Sequence, residues 1–183
     1  AVAWGRNTTG QCNIPPPPAG LHYVAFAAGF DHSVGLLSDG SAVAWGDDTM
    51  GQCQIPPFPV GTTCVQVAAG RRFTLLRLSD GSILSAGDNQ FGIRNVPVLP
   101  PGMSYLDIEA GANHAYARRS DARHVGWGLT GQQQCNVPAI AAGLSVTDLR
   151  ALTGHGIVLL SDGSARLLEG DSTGAGSVPA LPA

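Results

Sequence analysis

The chain has 183 residues, 44% hydrophobic and only 13% charged, so it can bury a core and bears no mark of a disordered segment. A formal net charge of -3, with all ten basic residues arginine, offers no footprint for a phosphate backbone and excludes nucleic acid as the default partner. No apolar run reaches the roughly 18 residues of a membrane-spanning helix, and 25 Gly with 13 Pro, spread as punctuation, exclude long helices in favour of short strands and turns.

In chain order, Ala1 to Trp4 is predicted as a short strand, followed by a polar turn carrying Cys12 and by Pro15 to Pro18, a stiff polyproline loop. Next comes the first of four related segments. One column holds Phe26, Val67, Ile108 and Leu149, and the column two residues on holds Ala28, Ala69, Ala110 and Ala151. Between and before them lie Ala25, Gln66, Asp107 and Asp148, then Ala27, Ala68, Glu109 and Arg150. This period of two predicts a strand with one buried face. The small residues that close it predict a place where backbones crowd together. A second strand is predicted over Ser33 to Leu37, then a hairpin at Asp39-Gly40, repeated at Asp80-Gly81 and Asp162-Gly163, where Asp-Gly suits the positive φ angles of a type I′ turn. The chain returns through Ser41 to Trp45, and a polar turn from Asp47 to Pro56 leads to the next copy.

The repeat length is fixed by several independent columns spaced 41 residues apart: Pro15, Pro56, Pro97, Pro138 and Pro179; Ser38, Ser79, Ser120 and Ser161; Gly20, Gly61, Gly102 and Gly143. Residues 1–183 therefore form a single all-β array with three or four short antiparallel strands per repeat. One such sheet is marginal alone and needs a neighbour over its apolar face. Meander sheets with tight hairpins favour radial stacking, a β-propeller, over a linear solenoid.

The segment HSVGLLSDGSAVAWGDDTMGQCQIP, from His32 to Pro56, closely resembles the repeat of the regulator of chromosome condensation (RCC1-type) family in a short variant. The resemblance implies a seven-bladed propeller, of which this chain carries about four and a half blades, an incomplete array. The half from Trp-Gly to Pro occurs five times and the half from Ala-Ala-Gly to Ser-Asp-Gly four times, so the two ends duplicate rather than complement each other. The chain is expected to be part of a larger propeller, or a protomer that self-associates through its open end blades. Copies depart from the pattern at Ala86-Gly87, at Leu168-Glu169-Gly170 and at Asp121-Ala122. Family members act as exchange factors for a small GTPase, as substrate-binding parts of HECT-type ubiquitin ligases, or as secreted inhibitors of an enzyme. The fold alone does not choose among them. A non-catalytic protein-protein interaction scaffold is the expectation, with a substrate-recruiting role in a larger ligase-like chain ahead of nucleotide exchange, because no insertion breaks the repeat spacing.

No catalytic constellation, cofactor motif or metal motif is present, and the pair Asp47-Asp48 sits in a turn where carboxylates satisfy backbone amides. Trp4, Trp45 and Trp127 share a column and are expected to be core. His32, His114 and His155 share another, with Phe73 in the fourth place, which favours packed histidines over a zinc ring. Cys12, Cys53, Cys64 and Cys135 form no Cys-x-x-Cys pair and are expected to be free thiols, fitting a reducing, cytoplasmic compartment. The asymmetric feature is a set of arginines in the middle repeats: Arg71, Arg72, Arg77, Arg118, Arg119 and Arg123. They are read either as solvated blade surface or as a docking patch for an acidic protein partner.

Overall fold

The computed structural model describes residues 1–129, 131, 135, 137 and 140–168. Every described strand belongs to one of four antiparallel three-stranded sheets, each a meander in chain order. Blade 1 comprises β1 (Tyr23–Ala28), β2 (His32–Leu37) and β3 (Ala42–Gly46), and blade 2 comprises β4 (Cys64–Ala69), β5 (Phe73–Leu78) and β6 (Ile83–Gly87). Blade 3 comprises β7 (Tyr105–Ala110), β8 (His114–Arg119) and β9 (His124–Gly128), and blade 4 comprises β10 (Val146–Ala151), β11 (Gly156–Leu160) and β12 (Ala165–Leu168).

Successive sheets stack face to face, and the cores lie between them. Val34 and Leu36 of blade 1 meet Cys64, Val67, Leu76 and Leu78 of blade 2. Ala68 and Leu75 of blade 2 meet Tyr105, Ile108, Ala117 and Trp127 of blade 3. Tyr116 of blade 3 meets Leu149, Val158, Leu160 and Leu168 of blade 4. Both faces of an inner blade are therefore covered, which corrects the expectation of one buried face per strand. Residues of the two intervening columns, Ala25 and Gln66 in one and Ala27 and Glu109 in the other, face the next blade.

Three further details differ from the sequence reading. The first strand of every blade carries a bulge, between Tyr23 and Ala25, Cys64 and Gln66, Tyr105 and Asp107, and Val146 and Asp148. The extra residue turns outward, and Tyr23 shares a face with Phe26, their ring centroids 4.8 Å apart. The hairpin is not type I′. Gly40 donates to the carbonyl of Leu37 while Leu37 donates to that of Ser41, and positive φ falls on Gly40 but not on Asp39, so the loop has three residues, a type I turn closed by a left-handed glycine. Asp39 instead accepts from the amide and hydroxyl of Ser41. Finally, Ala1–Trp4 forms no strand, and Trp4 is 85% exposed rather than core.

Two devices join the blades. At the inner ends of the first strands the backbones touch: Phe30 donates to the carbonyl of Gly70 and Arg71 to that of Ala112. A Cβ on Gly29 would sit 2.6 Å from the Gly70 oxygen, which is why the closing residue is glycine. The second device is the polar turn between blades. Its Asp47 amide donates back to Asp31 of blade 1, while its Gln52 carbonyl accepts from Thr74 of blade 2 at 2.7 Å. The equivalent carbonyl of Gln11 accepts from both Ser33 and Trp45, and that of Ile93 accepts from Trp127. The absence of Trp at Ala86 is thus offset by the hydroxyl of Thr74.

Candidate interaction surface

The arginines selected from the sequence do not form one patch. Arg71 and Arg72 lie in the β4–β5 loop and are exposed, whereas Arg77 is near the far end of β5, about 17 Å along the strand at the usual rise per residue. Arg77 is half-buried and donates to Gln66 at 3.1 Å, and Gln66 in turn donates to Asp107 at 2.6 Å across the joint between blades 2 and 3. Arg119 folds onto Asp121 at 2.8 Å and touches the Met103 sulfur. Arg118 and Arg123 are exposed at the hairpin end of blade 3, Arg123 3.9 Å from Asp121.

Sequence reasoning missed a second surface. The loops after the four Ala-Gly-type strand ends converge on an open depression of about 350 Å³ lined by Ala28, Gly29, Ala69, Gly70, Ala110 and Gly111. Phe30 stands at its rim, 63% exposed, with the Arg71 guanidinium 5.5 Å from the ring centroid, a cation–π pair. The available signal was internal: after the near-constant glycine the next column varies as Phe30, Arg71, Ala112 and Thr153. On the face of blade 1 turned away from blade 2, Phe26 is 44% exposed, whereas its counterparts Val67 and Ile108, each packed against the sheet before it, are 9% and 1% exposed. Trp45 packs edge-on against Phe26 there, with centroids 6.3 Å apart.

The aligned histidines are packing groups. His32 and His114 are buried, and the Nε2 of His32 meets the Thr74 hydroxyl at 3.0 Å across the first joint. That hydroxyl donates to Gln52, so it accepts from His32, whose Nε2 carries the proton. Burial pushes the pKa of both histidines down. The four cysteines are free. The thiols of Cys12, Cys53 and Cys135 each donate to a carbonyl six residues earlier, and burial raises those of Cys53 and Cys135 to about 11. Asp47 and Asp48 accept from amides and side chains of their own turn, as their position predicted. Among the described residues no group of three potential ligands could hold a metal ion.

No curated protein matches the chain in sequence. The family model described as the regulator of chromosome condensation (RCC1) repeat matches residues 23–52 and 64–93, one stretch in each of the first two blades. In structure the chain resembles yeast RCC1 (Prp20), solved bound to Kap60, with a TM-score of 0.73 and 21% identity over 90% of this chain and 50% of that one. It resembles the ectodomain of the Physcomitrella patens receptor kinase CR4, with a TM-score of 0.72 and 20% identity over 96% and 48%. It also resembles human WBSCR16, with a TM-score of 0.70 and 17% identity over 91% and 53%. The chain spans about half the length of these proteins. Residues 23–52 and 64–93 thus match repeats of the regulator of chromosome condensation type, and the four described sheets follow one another as blades of an incomplete propeller, the fold of those structures.

Proposed function

We propose that this chain is a protein-binding scaffold without chemistry of its own, and that it engages its partner through the loops around the inner strand ends. The observation that carries this reading is the rim of the depression, where Phe30, Arg71 and Leu152 stand exposed on loops held by a rigid set of sheets. An exposed aromatic paired with an arginine is the side-chain chemistry enriched at protein interfaces. The resemblance to Prp20, solved in complex with Kap60 and described with its binding to Gsp1p and histones, supports a role of this class.

Within that class we favour recruitment of a protein substrate to a larger, ligase-like chain. Nucleotide exchange on a small GTPase is the alternative that the Prp20 likeness suggests, and inhibition of an enzyme is a third. The test is affinity capture from source cells with the native gene product and with R71E/R72E. Loss of specific partners from the variant supports the reading, and an unchanged set refutes the role of the rim. Acceleration of nucleotide release from any captured GTPase would put exchange first.

A further inference from the structure

At the first two joints the hairpin glycine docks on the next blade. Cys64 donates to the carbonyl of Gly40 at 2.8 Å, and Tyr105 to that of Gly81 at 2.9 Å. There is no room for a side chain: a Cβ on Gly40 would lie 2.5 Å from the Thr63 Cβ, and one on Gly81 would lie 2.3 Å from the Ser104 Cβ. At the third joint the same position is Ala122, held at φ 64° in the left-handed region that otherwise contains only glycine among the described residues. Its Cβ occupies the forbidden place. Among the described residues no backbone bond joins Ala122 to Val146, the counterpart of Cys64 and Tyr105. A groove of about 560 Å³ lies there instead.

The groove is lined by the apolar Val137, Ile140 and Leu144 and by Arg118, Arg123 and His124, cationic through the two arginines, since burial and the neighbouring Arg118 push the His124 pKa down. The nearby carboxylates are already engaged. Asp121 is held by Arg119 at 2.8 Å, Glu109 by Arg150 at 2.7 Å, and Asp107 by Gln66 at 2.6 Å. Arg118 has no hydrogen bond or ion pair among the described residues, and the Arg123 side chain is 79% exposed. The rim therefore presents two exposed guanidinium groups beside an apolar groove, Arg123 paired only at 3.9 Å with Asp121 and Arg118 set opposite Asp107 on β7.

We infer that the joint between blades 3 and 4, opened by Ala122, is a binding groove for an acidic peptide segment of a partner protein, with an aliphatic or aromatic residue seated on the floor and carboxylates on Arg118 and Arg123. This rests on the protein-binding reading above and assigns it a second, separate site. It also gives the departure from Asp-Gly a role: a residue that strains the turn is retained where its side chain holds two blades apart.

The test uses the full chain, isotope-labelled at amide and methyl groups, titrated with the acetylated hexapeptide EDLFED, with its basic counterpart KKLFKK, and with EDSSED, which lacks the apolar anchor. Binding of EDLFED should shift the methyl signals of Val137, Ile140, Leu144 and Val146, and the two control peptides should bind at least tenfold more weakly. A122G keeps every charge and removes the left-handed strain, so it folds at least as well. It should lower affinity at least tenfold. R118Q/R123Q should weaken binding and remove its salt sensitivity. Absence of shifts at these methyls, equal affinity of A122G, or shifts confined to Phe30 and Leu152 would each overturn the inference. Partner capture abolished by R71E/R72E alongside a silent groove would sink only the groove. Capture indifferent to R71E/R72E with a groove that binds would sink only the rim.

Discussion

Three tryptophans in one repeat column offer a graded test of what that column does. Trp127 is 6% exposed, and its indole N–H donates to the Ile93 carbonyl at 2.7 Å, so W127A removes a large buried ring and leaves an acceptor without its donor. Large-to-small changes of that kind cost about 3 to 5 kcal/mol. Trp45 is only half-buried, with no described sheet on its side of blade 1, and Ser33 also donates to the carbonyl Trp45 uses, at 2.9 Å. W45A should therefore cost about 2 kcal/mol, below what its column position alone suggests. W4A, at an exposed site, should stay within about 0.5 kcal/mol of the parent. Chains of this size lose roughly 2–4 °C of melting temperature per kcal/mol, so W127A should melt about 10 °C lower, with W45A between it and the parent. The assay is thermal and urea unfolding followed by far-UV circular dichroism, which does not depend on the deleted fluorophores. A W4A variant as unstable as W127A, or a W127A loss under about 1 kcal/mol, would refute the argument from stacking.

Acid should weaken the fold through its buried histidines. Burial lowers the pKa of His32 and His114, so both stay neutral in the folded chain. Above the unfolded value of 6.5 their contribution is fully present; as pH falls below it the unfolded chain takes up protons the folded one resists, and stability declines until the lower folded pKa values are passed. H114F, which borrows the residue that Phe73 supplies at the same position, should flatten the decline below pH 6.5 in urea titrations, and an unchanged slope would count against the assignment. The thiols of Cys53 and Cys135, raised to about 11, should resist iodoacetamide at pH 7.5 until the protein is unfolded. Rapid alkylation of either in the native chain, read by peptide mass spectrometry, would contradict their burial.

The repeat was plain in the sequence because each recurring residue answers a local demand. Ser38 accepts from the amide of His22, Asp39 caps Ser41, and Gly40 takes the turn's left-handed backbone without strain, so Ser and Asp recur in all four copies and Gly in three, with Ala122 in the other. The bulge at Val24 escaped notice because a bulge needs no special residue: Val24, Val65, Leu106 and Thr147 are ordinary strand formers pushed outward by register. The arginines misled through a feature of strands that a list of positions conceals. Arg72 and Arg77 are five residues apart in the chain, yet they stand at opposite ends of one β-strand. The rim of the depression was illegible because its residues share no column chemistry, only a place.

The turn between blades has a consequence for how such an array can change length. It is bound at one end to the sheet before it, through the Asp47 amide, and at the other to the sheet after it, through the Gln52 carbonyl. Neither end belongs to a repeat taken alone. A deletion of 41 residues, wherever it starts, rejoins one such turn to another sheet with the same acceptor and donor positions, whereas a deletion one residue shorter misplaces every bond across the seam. Growth and loss in this architecture are therefore quantised in length, and the point of loss matters where copies differ in their donors, as at the Ile93 carbonyl that Trp127 satisfies.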